Sequence, residues 1–356
     1  MTYAEFRHAR YFPALDGLRA ISVLLVLSFH TGDSIWSRLH GYLGVSVFFV
    51  LSGFLITTLL LREEDTFGRV SIWRFCIRRA FRIFPLYFLA LLVVCVLTLG
   101  FGLGTNPAAF LQHLWLFATF NGEFAGGGTF GHSWSLGIEE KFYLIWPILG
   151  FALIHVASHR LTAAVALLAL SAGAASFEGW DYFAIYFPIL AGVTVACLAH
   201  QPKTFAALRL ISNPWLALPL LALTVWTMGV NDESTYVHVP FGALIALCLP
   251  VFMLKAPGVG WILRLRVLRF VGRRAYAIYL FHPMVLNVVN RVVPTESGIP
   301  TQVIRFVLLA GISILIAEIL FRLVEAPFIR IGRSVANRSR AKDTAGAASI
   351  SADTRE

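Results

Sequence analysis

The 356 residues are 58% hydrophobic and 13% charged, about half the charge of an ordinary soluble domain, which excludes water as the main solvent of the fold. The formal net charge of +10 sits in short segments beside apolar runs, where membrane topology and anionic headgroups account for it, so no nucleic-acid partner is expected. Four cysteines, Cys76, Cys95, Cys197 and Cys248, have no paired spacing and indicate neither a disulfide framework nor a metal site.

A helix rises 1.5 Å per residue, so about 20 apolar residues cross about 30 Å of hydrocarbon. Runs of this kind recur at about 15–31, 42–61, 83–101, 136–156, 162–177, 182–199, 214–230, 236–254, 275–293 and 303–324. They predict an all-α, polytopic integral membrane bundle of about ten transmembrane helices. Lys and Arg collect in alternate connections, notably Arg62 to Arg82 and Lys255 to Arg274, while the intervening ones hold only Arg38 and Arg291. That alternation places the N- and C-termini on the cytoplasmic side. Residues 1–14 read as a basic cytoplasmic lead, 15–325 as one membrane domain, and 326–356 as a cytoplasmic tail, mostly disordered. The outer segment at about 102–135 includes a candidate re-entrant or interfacial piece at 108–120.

Polar groups inside apolar helices are costly, so each needs a reason. The first span, LDGLRAISVLLVLSFH, carries Asp16, Arg19 and His30. Asp16 and Arg19 are three apart and can pair on one face. Arg19 either faces a partner or snorkels to the interface. His30 offers a base near neutral pH, with a satisfied structural histidine as the alternative. In the second span Gly41, Gly44 and Gly53, with Ser46 and Ser52, allow close helix approach.

RFCIRRAFRIFP, at the entry to the third span, sets Arg79 and Arg82 on one helical face. Paired guanidinium groups suit phosphate oxygens, although positive-inside topology also places arginines here. FGHSWSLGIEEKFYLIWP brings His132, Ser135, Glu139, Glu140 and Tyr143 to the start of the fourth span. Ser135, Glu139 and Tyr143 recur every four residues and form one stripe, with Glu139 expected inward and Glu140 turned to Lys141 or water. A solvated helix start, with carboxylates favoured by the dipole, is the alternative. FVGRRAYAIYLFHPMVL adds His282, which either packs or lines a pocket. AEILFRLVEAPF sets Arg322 within reach of Glu318 and Glu325, an expected structural ion pair.

Six of these segments, in this order, resemble the acyltransferase family 3 membrane proteins, which acylate O-antigen, exopolysaccharide and macrolides: LDGLRAISVLLVLSFH, GVSVFFVLSGFLIT, RRAFRIFP, HSWSLGIEEKFYLIWP, YAIYLFHP and VEAPF. The resemblance covers nearly the whole chain. It implies transfer of an acyl group, most often acetyl, from cytoplasmic acyl-CoA to a hydroxyl of a sugar-containing acceptor, in the inner membrane. It implies no tightly bound cofactor, with acyl-CoA as co-substrate. Arg19 and His30 match the family's arginine and histidine separated by ten residues, and Arg79 and Arg82 match its paired arginines. His30 is then the expected catalytic base, the arginines the expected donor-holding groups, and Glu139 a partner to His30. Lys141 stands where the family often has Gln, and Ala275 where it often has Ser. Some members carry an SGNH-hydrolase-like domain after the bundle, and none is expected in this sequence. A non-enzymatic transporter of lipid-linked sugars, with the same charges lining a path, and an enzyme for a small glycosylated metabolite are the alternatives.

Overall fold

The computed structural model describes all residues except 10, 33, 178–180, 231–236, 255–259, 295–297 and 339–356. Besides single α-helical turns at Ser34–Ser37 and Asp181–Ala184, the helices in chain order are α1 Tyr3–His8, α2 Pro13–His30, α3 Leu43–Phe67, α4 Ile72–Cys95, α5 Pro107–Ala118, α6 Trp134–Pro147, α7 Ala157–Ala174, α8 Phe187–Ala199, α9 Pro202–Ile211, α10 Pro214–Val230, α11 His238–Met253, α12 Arg266–Val292 and α13 Ile299–Leu320. No strand occurs among the described residues. π-helical turns extend α4 over Val96–Gly100, α6 over Ile148–Leu153 and α13 over Phe321–Glu325.

Each expected apolar run coincides with a helix, but fewer than ten are long and apolar enough to cross a membrane unaided. Six qualify: Pro13–His30, Leu43–Phe67, Ile72–Gly100, Ala157–Ala174, Tyr182–Ala199 and Ile299–Arg338. The pair α9 and α10, bent by 72°, makes a seventh if it forms one span. The shortfall has physical causes. α6 runs only 14 residues before its π-turn, α11 has 16 residues, and α12 is diluted by His282, Asn287, Asn290 and its arginines.

The chain forms two compact units. The first combines residues 1–70 with 146–317. Its core is set by glycine contacts that let backbones touch, as small-residue faces do in membranes. A Cβ on Gly53 would lie 1.9 Å from the Ile189 carbonyl oxygen, and one on Gly192 would lie 2.1 Å from that of Val50. α3 and α8 therefore meet at reciprocal glycines. α12 approaches α2 at a single glycine, since a Cβ on Gly272 would stand 1.7 Å from the Asp16 carbonyl oxygen. The basic lead is structured: α1 begins at a Thr2–Glu5 capping box and buries Phe6 against Phe12, Phe205 and His200. Arg62 holds it down, donating to the carbonyls of Ala9 and Phe6 at 2.5 and 2.8 Å.

Arg160 is 1% exposed. Its guanidinium donates to both oxygens of Glu64 at 2.8 and 3.0 Å and to the Ile154 carbonyl at 3.0 Å. It also donates to the Gly150 carbonyl and lies 4.2 Å from the Phe151 ring centroid. Arg160 is thus a buried fastener.

The second unit combines residues 71–145 with 318–356. Tyr87 anchors it, fully buried, donating to the Phe117 carbonyl at 2.8 Å and stacking on Phe120 at 4.2 Å. The stretch 108–120, expected as a re-entrant or interfacial piece, is helical and forms most of α5. It leads to a loop in which Gly126, Gly127 and Gly128 all take left-handed φ of 69°, 91° and 79°, a backbone open to glycine without steric cost. Residues 326–338 are helical and pack there, with Phe328 against Phe81 and Gly332 so close to Phe81 that a Cβ would stand 2.6 Å away. The tail expected to be mostly disordered from 326 therefore starts as helix. Its remainder lies outside the described residues.

Candidate active site

In the first unit, α2 carries three of the expected residues. Pro13 opens the helix at a position where a missing N–H costs nothing. Asp16, 6% exposed, sits one turn in. Its Oδ1 faces Arg19 Nη1 at 3.5 Å, so the expected pairing forms. Its Oδ2 accepts from the Tyr11 hydroxyl, which itself accepts from Arg269 Nε at 3.4 Å. Burial, then the hydrogen bond to Asp16, pushes the Tyr11 phenol above its usual range, so it stays a donor to that carboxylate. Tyr11 and Arg269 gave no sequence signal, because their link spans most of the chain.

His30 ends α2, and its imidazole lies edge-on to that of His282 on α12, ring centroids 4.7 Å apart at 73°. His30 Nδ1 is 2.8 Å from the Val26 carbonyl, and His282 Nδ1 is 2.7 Å from that of Tyr279. A carbonyl only accepts, so both Nδ1 atoms carry the hydrogen, and in the neutral rings Nε2 bears the lone pair. His282 is fully buried and His30 is half-buried, so His30 is the more accessible of the two rings. Between packing and pocket lining for His282, the structure brings it to His30. Glu139, the expected partner of His30, belongs to the other unit, and within this unit the neighbour of His30 is a second imidazole.

In the second unit, Arg79 lies 4.5 Å from the Tyr143 ring centroid and 5.9 Å from that of Phe75. Its guanidinium feels the opposite charges of Glu139 and Glu140 and the like charge of Arg82. Tyr143 and Ser135 are buried, whereas Glu139 and Glu140 are both half-buried. Lys141 turns to neither of them: it pairs with Glu123 and donates to the Phe120 carbonyl at 3.0 Å. His132 packs edge-on to Phe130 at 5.1 Å. Arg322 pairs with Glu318 at 2.5 Å, as the spacing predicts. An open groove of about 420 Å³ in this unit is lined by Phe84, Pro85, Phe88, Leu89, Val324 and Phe328, and offers no titratable group for chemistry.

The family model described as an acyltransferase domain, acyltransferase 3, matches residues 12–322. The chain belongs to the acyltransferase 3 family. The match includes Asp16, Arg19, His30, Arg79, Arg82, Glu139 and His282, every residue with a proposed catalytic or donor-holding part. Among curated proteins this family member is similar to a Staphylococcus aureus (strain COL) protein named "Putative O-acetyltransferase", 29% identical, the alignment covering 94% of this chain and 60% of that protein. It is also similar to peptidoglycan O-acetyltransferase OatA of Listeria monocytogenes, 26% identical over 91% of this chain and 56% of the relative. The chain thus spans less than two thirds of the length of the curated relatives it matches. No solved structure shows a significant match.

Proposed function

We propose that this acyltransferase 3 family member is a membrane O-acyltransferase that moves an acyl group, acetyl in the first instance, from acyl-CoA to a hydroxyl of a sugar-containing acceptor. The observation that carries this reading is the His30–His282 pair, with the His30 tautomer fixed so that Nε2 receives a proton. As the acceptor oxygen attacks the thioester carbonyl, His30 Nε2 takes the hydroxyl proton. Collapse of the tetrahedral intermediate breaks the carbon–sulfur bond, and the imidazolium returns the proton to the departing thiolate. A covalent route, in which His30 itself accepts the acyl group, uses the same atom.

Arg79 and Arg82 are assigned to the donor's phosphates, with Glu139 and Glu140 holding their charge in balance, and Arg19 is assigned to the donor as well. Positive-inside charge supports cytoplasmic termini, about ten passes including the shorter helices, and donor entry from the cytoplasm across the inner membrane. The name of the Listeria relative makes peptidoglycan the first acceptor to test, ahead of other surface polysaccharides and small glycosylated metabolites.

The deciding experiment compares acylation of cell-wall and surface glycans by mass spectrometry in cells with wild-type protein, no protein, and well-expressed His30→Ala. A mass increment that needs both the protein and His30 is expected. Acylation retained with His30→Ala removes His30 as the base. Glycans that lose export but keep their acylation pattern point to the transporter.

A further inference from the structure

Arg305 stands in the first turns of α13 and is 1% exposed. Placing a charge inside an apolar helix is costly, so an ordinary packing role would favour an aliphatic side chain. Its Nη2 donates to Asn290 Oδ1 on α12 at 2.7 Å and to the Thr31 carbonyl at 3.3 Å. Thr31 caps the C-terminal end of α2, where the last carbonyls have no partner within the helix and a cation is favourable. It follows His30 directly. Asn290 lies eight residues beyond His282 on the same helix, about 12 Å along its axis. One guanidinium therefore joins the ends of the two helices that carry the paired histidines. The segment just after His30 is fastened to the same part of α13 by independent contacts: Gln302 Oε1 accepts from the Ile35 amide at 3.2 Å, and Trp36 packs on Phe306 with ring centroids 4.7 Å apart.

We infer that Arg305 is a positioning residue that fixes the His30 imidazole against His282 by tying the end of α2 to Asn290. The inference rests on reading His30 as the base, so its test includes a readout that does not need turnover. Wild type, His30→Ala, Arg305→Ala, Arg305→Lys and Asn290→Ala are reconstituted in lipid nanodiscs, with folding checked by elution volume and thermal midpoint. For each, kcat and KM for acyl-CoA are measured, together with the rate at which diethyl pyrocarbonate modifies His30, read by peptide mass spectrometry.

Misplacing a reacting group by about 1 Å costs about 100-fold. Folded Arg305→Ala is expected to lose about that factor in kcat, to keep KM within about twofold, and to show a severalfold faster His30 modification. Arg305→Lys, a point charge without the fork, is expected to recover only part. Asn290→Ala, which leaves the charge in place, is expected to fall between and serves as the test if Arg305→Ala does not fold. Wild-type kcat in a folded variant overturns the inference, as does an unchanged His30 modification rate beside a lowered kcat. Full turnover by His30→Ala is a different failure: it removes His30 as the base, while the modification rates still decide whether Arg305 positions the ring.

Discussion

The Val26 carbonyl holds His30 Nδ1 at 2.8 Å, which turns His30 Nε2 away from its own helix backbone and leaves the ring edge-on to His282. General-base catalysis contributes about 10² to 10⁴ in rate. His30→Ala is expected to lower kcat by about that range, with KM for acyl-CoA nearly unchanged. His282→Ala is expected to lower kcat less. Groups that act as a unit are not additive, so the double variant is expected to match His30→Ala in steady-state turnover. An additive double variant would show that the two rings act separately.

Arg79 sits over the Tyr143 ring with two glutamates and Arg82 acting on its charge. Arg79→Lys keeps the charge and loses the flat fork that binds phosphate in pairs and stacks on an aromatic face. A hydrogen bond to a charged group contributes about 1.5 to 3 kcal/mol, so KM for acyl-CoA is expected to rise about tenfold or more, with a smaller effect on kcat. An unchanged KM in titrations with acyl-CoA would remove Arg79 from the donor site.

Arg160→Ala leaves Glu64 without its two-pronged partner and the Gly150 and Ile154 carbonyls without a donor. Breaking such a buried pair costs about 3 kcal/mol or more. A clear drop in thermal midpoint and in detergent-extracted yield is expected, with kcat per folded molecule preserved. Preserved stability would mean that the pair is solvated in the membrane-embedded protein.

His200 caps α8 against Phe6, and burial, the largest influence, holds its imidazole down at about 4. The unfolded chain binds that proton near its ordinary value of about 6.5, so between the two values the unfolded state carries more protons and stability falls as pH drops. Thermal midpoints of the purified protein are expected to decline from pH 6.5 towards pH 4 and to decline less in His200→Gln. Parallel curves for the two proteins would mean that other groups set the acid sensitivity.

A Cβ on Gly192 falls 2.1 Å from the Val50 carbonyl oxygen, an obstacle of backbone rather than of a movable side chain. Overpacking of this kind costs about 1 to 3 kcal/mol. Gly192→Ala is expected to lower the thermal midpoint more than alanine at Gly173, which has open space around its Cβ. Equal midpoints would place α3 and α8 further apart than described.

Sequence by itself determined the helices, since apolar length and composition are local properties, and it selected Asp16 with Arg19 and Glu318 with Arg322 because three- and four-residue spacing places such pairs on one face. It also selected the small residues of the second span as places of close helix approach, and Gly44 and Gly53 lie against the Ser22 and Ile189 carbonyls of two different helices. Tertiary structure decided the partners that lie far apart in the chain. His282 came to His30 from 252 positions further along the chain, Glu123 rather than a neighbouring glutamate took Lys141, and Arg160 and Arg305 were drawn inside although loop charge and span charge look alike in a string of letters. The physical reason is that a buried charge is tolerated only where carbonyls or side chains of other helices meet it, and which helices meet is a property of the assembled bundle.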